Sequence, residues 1–251
     1  MKTGLIGISG KIGHGKDLLA KIIQIMTDHD KLTDVQVKII IDAGYPFSEG
    51  YQIEKFAGKL KECAALLTGI PIQKFEDQDF KLTNLGPEWN YWEIAVMSEG
   101  KIMLHTGRHL TKESAEESIE HVLKPMYGES DMEYEPIEKQ MTVRQFLQEI
   151  GTDAIRNHLH PNAWVNALLA GYSTDKKQII TDVRFPNEFN AIRAKKGLLV
   201  RITRPMMPDN THISETALDK GYDFDVYIDN TKDVKYLAAQ VREKILPLIN
   251  Y

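Results

Sequence analysis

The chain has 251 residues, 42% of them apolar and 27% charged, the composition of an ordinary globular protein with room for a substantial core. A formal charge of −5 and a pI near 5.9 argue against the broad basic face of a sequence-independent nucleic-acid binder, yet leave room for a local phosphate-binding cluster. One cysteine excludes an intramolecular disulfide, no apolar run approaches the ~18 residues of a membrane span, and the Gly-rich start is too short for a signal peptide, so a cytoplasmic protein is expected.

The run "TGLIGIS" (3–9) predicts a buried strand that ends at a glycine loop. Leu18, Leu19, Ile22, Ile23 and Met26 then recur at helical spacing. "VQVKIII" (35–41) predicts a second strand, and 52–68 a helix ended by Gly69 and Pro71, with Cys63 as a small buried thiol. Residues 71–140 are irregular apart from a helix near 111–124 and suggest an inserted, lid-like lobe between a first core part (1–70) and a second (141–251). Helices are expected at 142–159, 161–172, 187–197 and 232–248, and strands at 178–183, 198–203 and 225–230. Alternating strands and helices predict an α/β fold, a parallel five-stranded sheet flanked by helices.

Three clusters carry chemistry. "GKIGHGKD" fits G-x-x-x-x-G-K at Gly10, Gly15 and Lys16, in the strand-before, helix-after context that a phosphate loop needs. Asp17 stands where a hydroxyl is usual; it is either a hard oxygen ligand for Mg²⁺ or a first-turn aspartate favoured by the helix dipole. Asp182 and Arg184 end the 178–183 strand, where open α/β sheets bind ligands; they either orient phosphates or form a structural ion pair. Arg144, Gln148 and Thr152 form a polar stripe on the 142–159 helix, suited to a monophosphate and a base edge or equally to solvent. Trp164 either stacks on a base or fills the core. The pairs His105/His109 and His158/His160 lack a third ligand at zinc spacing.

"SGKIGHGKD", "VRQFLQEIGTDAIRNHLHPNAWV", "IITDVRFPNEFNAIRAKKG" and "RPMMPDNTHISETAL" resemble, in order, blocks of the phage deoxynucleoside monophosphate kinases. The resemblance implies a P-loop kinase that transfers the γ-phosphoryl of ATP to a deoxynucleoside 5′-monophosphate with Mg²⁺. It implies ATP contacts from Gly10, Gly13, His14, Gly15, Lys16, Asp17 and Leu18, with Asp17 at the metal. It places Arg144, Gln145, Gln148, Gly151, Thr152 and Trp164 at the monophosphate and base, and Asp182, Arg184 and Glu188 at the catalytic and sugar side. Lys16, Arg144, Asp182 and Arg184 are the expected catalytic set. Leu18 and Gln145 stand where some relatives carry threonine and lysine, which bears on substrate preference. The implied partners are ATP and the acceptor nucleotide, without nucleic acid or membrane; a homodimer is the assembly considered, since the insertion is free to cover a second copy. Two other readings remain: a P-loop kinase of another phosphorylated metabolite, and a non-catalytic nucleotide-binding regulator.

Overall fold

A computed structural model describes residues 3–44, 50–128, 130–205 and 216–249. The chain divides into two compact units, Met1–Glu62 with Ile155–Tyr251, and Cys63–Ala154.

The first unit is built on a five-stranded parallel sheet of β1 (Leu5–Ser9), β2 (Gln52–Glu54), β6 (Gln178–Val183), β7 (Leu198–Thr203) and β8 (Val226–Asp229), in the order β2-β6-β1-β7-β8. The central strand β1 is buried along its whole length, as expected where helices cover both faces. Strand alternation sorts the core into two layers. Ile6, Ile8, Ile179, Val200 and Ile202 meet Leu19, Ile22, Ile23 and Met26 of α1 (Lys16–Asp28) and Leu237, Val241 and Ile245 of the C-terminal helix (234–248) on one face. Leu5, Ile180, Val183 and Leu199 meet Val165 and Leu168 of the helix Ala163–Leu169 and Phe189 and Ile192 of the helix Pro186–Ala194 on the other. The latter helix packs tightly because Gly7 lacks a side chain: a Cβ there would lie 2.7 Å from Ile192 Cδ1.

The expected five-stranded parallel sheet is present, but its second strand is formed by other residues than those expected. Residues 35–41 are not a strand; they lie in α2 (Asp34–Ala43). Thr33 and Gln36 close a capping box, with the Thr33 hydroxyl accepting from Gln36 N at 3.3 Å and Gln36 Oε1 accepting from Thr33 N at 2.9 Å. Strand alternation would bury Val35, Val37 and Ile39 together; instead Val37 is buried while Val35 and Ile39 are 55% and 60% exposed. Val37, Ile40 and Ile41, at helical spacing, face the core. The second strand is β2, three residues at the start of the stretch expected to be helical. That helix, α3, runs from Phe56 to Thr68, and Cys63 on it is half-buried rather than buried.

The Cys63–Ala154 unit, where only a helix near 111–124 was expected, contains three strands: β3 (Tyr91–Ser98), β4 (Lys101–His105) and β5 (Glu133–Lys139), antiparallel in the order β4-β3-β5. Glu99 and Gly100 join β3 to β4 with φ of 50° and 71°, the paired positive values of a tight hairpin turn. Pro136 is tolerated because β5 is an edge strand. Ile94 and Val96 pack on Ala115, Ile119 and Leu123 of the helix at 112–127, close to the expected 111–124. The expected 142–159 helix forms as Val143–Gln148 and continues with wider π-type turns over Glu149–Leu159. Among the described residues no helix is long and apolar enough to cross a membrane.

Thr33→Ala removes one half of the capping box and is expected to cost about 1 kcal/mol. Urea unfolding should show a lower midpoint at unchanged slope; an unchanged midpoint would count against the cap.

Candidate active site

The glycine loop leaves β1 at the middle of the sheet. A Cβ at Gly10 would lie 2.5 Å from the Ile202 carbonyl oxygen, so only glycine lets the loop turn off so close to β7. Gly13 and Gly15 take φ of 80° and 92°, and a Cβ at Gly15 would lie 2.5 Å from Asn230 Nδ2. That amide donates to the His14 carbonyl at 2.9 Å and fastens the loop to the end of β8. Lys16 folds back over the loop: its Nζ lies 2.5 Å from the Gly10 carbonyl and 2.9 Å from the Lys11 carbonyl. An ammonium and a helix N-terminus therefore meet at the end of the central strand, an arrangement suited to phosphate. His14 is buried, and its Nδ1 lies 3.2 Å from the Ile202 carbonyl, which can only accept. Burial pushes the imidazole below its ordinary range, aided by the charges of Lys16, Arg201 and Lys11 and opposed by that hydrogen bond. Leu18 packs at the edge of the core.

Asp17 opens α1 with its side chain 62% exposed. Its Oδ1 accepts from the Thr181 hydroxyl at 2.8 Å and its Oδ2 from Lys55 Nζ at 3.1 Å. Partial burial acts to raise this carboxyl, but the Thr181 and Lys55 hydrogen bonds and the charges of Lys55 and Lys16 outweigh it and hold it below the ordinary value. An ionised, accessible carboxylate beside a buried hydroxyl is a hard oxygen set that fits Mg²⁺. Asp182, the next residue along β6, uses both oxygens on backbone: Phe56 N donates at 2.8 Å and Ala57 N at 2.9 Å. It thereby caps α3. Burial pushes its carboxyl up, against the two amides and the charges of Arg184 and Lys55.

Glu188 is 2% exposed. Its Oε2 accepts from the backbone amides of Arg184 at 2.8 Å and Phe185 at 3.0 Å, and its Oε1 from Arg156 Nη2 at 3.0 Å. The Arg156 guanidinium also lies 4.7 Å over the Phe185 ring. Burial raises the Glu188 carboxyl, opposed by its amide donors and Arg156. Its place in the fold is that of a buried anchor for the Arg184–Phe185 turn. Arg201 on β7 donates to Ser9 Oγ at 2.8 Å and pairs with Asp219. Trp164 is 7% exposed and sits as a core side chain.

The polar stripe belongs to the Cys63–Ala154 unit. Arg144, Gln148 and Thr152 are exposed. Gln145 closes a second capping box, its Oε1 accepting from the Thr142 amide and hydroxyl, each at 2.9 Å. Gly151 is buried in the π-type turn.

The sequence model of the deoxynucleotide monophosphate kinase family matches residues 4–241. The chain belongs to that family. The kinase is 29% identical over 132 residues to a protein of Acanthamoeba polyphaga mimivirus that bears the family's name provisionally; the match covers 46% of this chain and 68% of the relative. It is 30% identical over 115 residues to the deoxynucleotide monophosphate kinase of Enterobacteria phage T4, covering 43% of this chain and 47% of the phage protein. The match thus spans about half the length of the phage relative. The family makes the chain a phosphotransferase.

Within the first unit the kinase brings Lys16, Asp17, Asp182, Arg184 and Glu188 to the ends of β1 and β6. Lys55, Thr181, Asn230 and Arg156 were missed from sequence. Lys55 follows a strand that was read as helix, whereas Thr181 was legible as a polar residue in an otherwise apolar strand beside Asp182. Of the block Arg204–Leu218, residues 206–215 lie outside the described residues.

A buried imidazole whose folded-state pKa lies below its unfolded value of about 6.5 stabilises fully above that pH, and its contribution is lost as pH falls through the folded value. His14→Gln should therefore flatten part of the acid loss of stability below pH ~6.5. Parallel slopes of melting temperature against pH in wild type and variant would contradict a buried, neutral His14.

Proposed function

We propose that the kinase uses ATP to phosphorylate deoxynucleoside 5′-monophosphates to diphosphates. The observation that carries this reading is the loop with its Lys16 folded over it, one strand from Thr181, whose hydroxyl holds Asp17. Lys16 and the start of α1 bind the donor phosphates. Asp17, with Thr181 behind it, would hold Mg²⁺, which when bound offsets charge on the β- and γ-phosphates. Arg184 stands on a turn fixed by Glu188 and is assigned to the phosphoryl group in flight. An acceptor phosphate oxygen bonds to the γ-phosphorus in line with the breaking bond to the β–γ bridging oxygen, and ADP leaves. Little covalent chemistry is asked of the chain; its work is positioning and countercharge.

On the family likeness, Arg144, Gln148, Gly151 and Thr152 take the acceptor's monophosphate and base. Gln145 is spent on its helix cap, and Leu18 on the core, so neither is assigned a nucleotide contact. A supply of deoxynucleotides for viral DNA synthesis in the host cytoplasm is the setting that the phage and mimivirus relatives suggest.

A panel of deoxy- and ribonucleoside monophosphates, with ADP release as the readout, tests the function. Turnover confined to deoxynucleotides is expected; no turnover with any nucleotide would overturn it. In the same assay Arg184→Ala should lower kcat by roughly 10²–10³ while leaving ATP affinity near that of wild type. Equal losses in both would remove Arg184 from the transferring phosphoryl.

A further inference from the structure

An aspartate at the edge of a phosphate loop is a liability before the metal arrives, because its charge repels the phosphates it serves. Lys55 addresses this. Its Nζ lies 3.1 Å from Asp17 Oδ2, on the oxygen opposite the one that Thr181 holds at 2.8 Å.

The lysine is not placed by chance rotation of a surface side chain. Its backbone is bracketed from both sides. Glu54, just before it, is in register with Ile180 of β6. Phe56 and Ala57, just after it, are tied to Asp182 at 2.8 and 2.9 Å. Gly58 N donates to the Lys55 carbonyl at 3.0 Å and completes the turn into α3. Consecutive residues of one strand, Thr181 and Asp182, thus fix the carboxylate and the cation that meets it. Lys55 keeps its side chain only 36% exposed while reaching Asp17.

We propose that Lys55 is a positioning residue for phosphoryl transfer, the resident counter-cation of Asp17, which yields the carboxylate when a nucleotide-bound divalent cation arrives. The inference rests on the kinase reading given above. It accounts for the use of a carboxylate where a neutral hydroxyl is usual. Without nucleotide, Lys55 neutralises Asp17 and keeps divalent ions from settling there alone. With nucleotide, the phosphates supply the further ligands that let the metal compete, and the released ammonium remains close to the loop as a second positive group beside Lys16. Lys55 takes no proton and forms no bond in this scheme.

The test uses the full chain and Mn²⁺ alone, with free Mn²⁺ read by electron paramagnetic resonance and no nucleotide present. Lys55→Met removes the charge and keeps the stem. It should bind Mn²⁺ about fivefold tighter than wild type, the size of one opposing charge at a partly exposed site. Lys55→Arg should restore the wild-type affinity, and adding Asp17→Asn to Lys55→Met should abolish the gain. Steady-state KM for ATP should rise in Lys55→Met while KM for the acceptor holds. Unchanged Mn²⁺ affinity in Lys55→Met overturns the proposal whatever the kinetics show, as does a gain that survives the loss of Asp17. Should Lys55→Met fail to fold, Lys55→Gln carries the same titration. Wild-type turnover in the nucleotide panel is independent of these titrations, so the function and the role of Lys55 fail separately.

Discussion

Thr181 and Asp182, just before the end of β6 at Val183, place two polar side chains on opposite faces of the strand, and much of the site depends on that alternation. Thr181 reaches the carboxylate at the start of α1. Asp182 reaches the two amides that begin α3. Because neighbouring residues in a strand point apart, one dipeptide fixes two helix starts on either side of the sheet edge. The phosphate loop, β2 and Lys55 are then located by the same short piece of backbone. A one-residue slip of β6 would exchange these roles and put a hydroxyl where α3 needs a carboxylate.

The arrangement commits two carboxylates to backbone amides inside the fold, Asp182 at α3 and Glu188 at the Arg184–Phe185 turn. Burying a charge is unfavourable unless it is paired or hydrogen-bonded: Asp182 accepts from two amides, and Glu188 accepts from two amides and pairs with Arg156. Removing a partner from such a site costs about 3–5 kcal/mol, because the charge left behind has nowhere to go. Glu188 illustrates what this secures: Arg184 is presented from a turn held by three donors on one carboxylate rather than from a free loop. Catalysis by positioning asks for that rigidity, since small displacements of a charged group forfeit much of its effect on the transferring phosphoryl.

Much of this was legible in the sequence. β1, β6 and β7 carry apolar runs bounded by glycine or charge, and their limits fall within two residues of the structure's at each end. The glycine loop was legible because its φ values and its close approach to Ile202 and Asn230 demand glycine. Residues 34–43 were misleading because β-branched residues favour strands while a local capping box and one buried stripe favour a helix; the cap prevailed. β2 was hidden because its three residues owe their strand to Ile180 across the sheet, a partner 126 positions away. Lys55 was invisible for the same reason: its meaning lies in Asp17, which sequence separates from it and topology returns. The resemblance implies substrate contacts for Gln145 and Glu188; the fold adds a helix-cap bond for the first and burial for the second, which the motifs alone do not show.

The central claim is that the loop from Gly10 to Lys16 is a phosphate cradle whose lysine exchanges its own carbonyl partners for the phosphates of ATP. Calorimetric titration of ATP into nucleotide-free wild type and Lys16→Met tests it directly. The account predicts at least a tenfold weaker ATP affinity, about 1.4 kcal/mol, in a variant that melts close to wild type. Equal ATP binding by a folded Lys16→Met protein would contradict it.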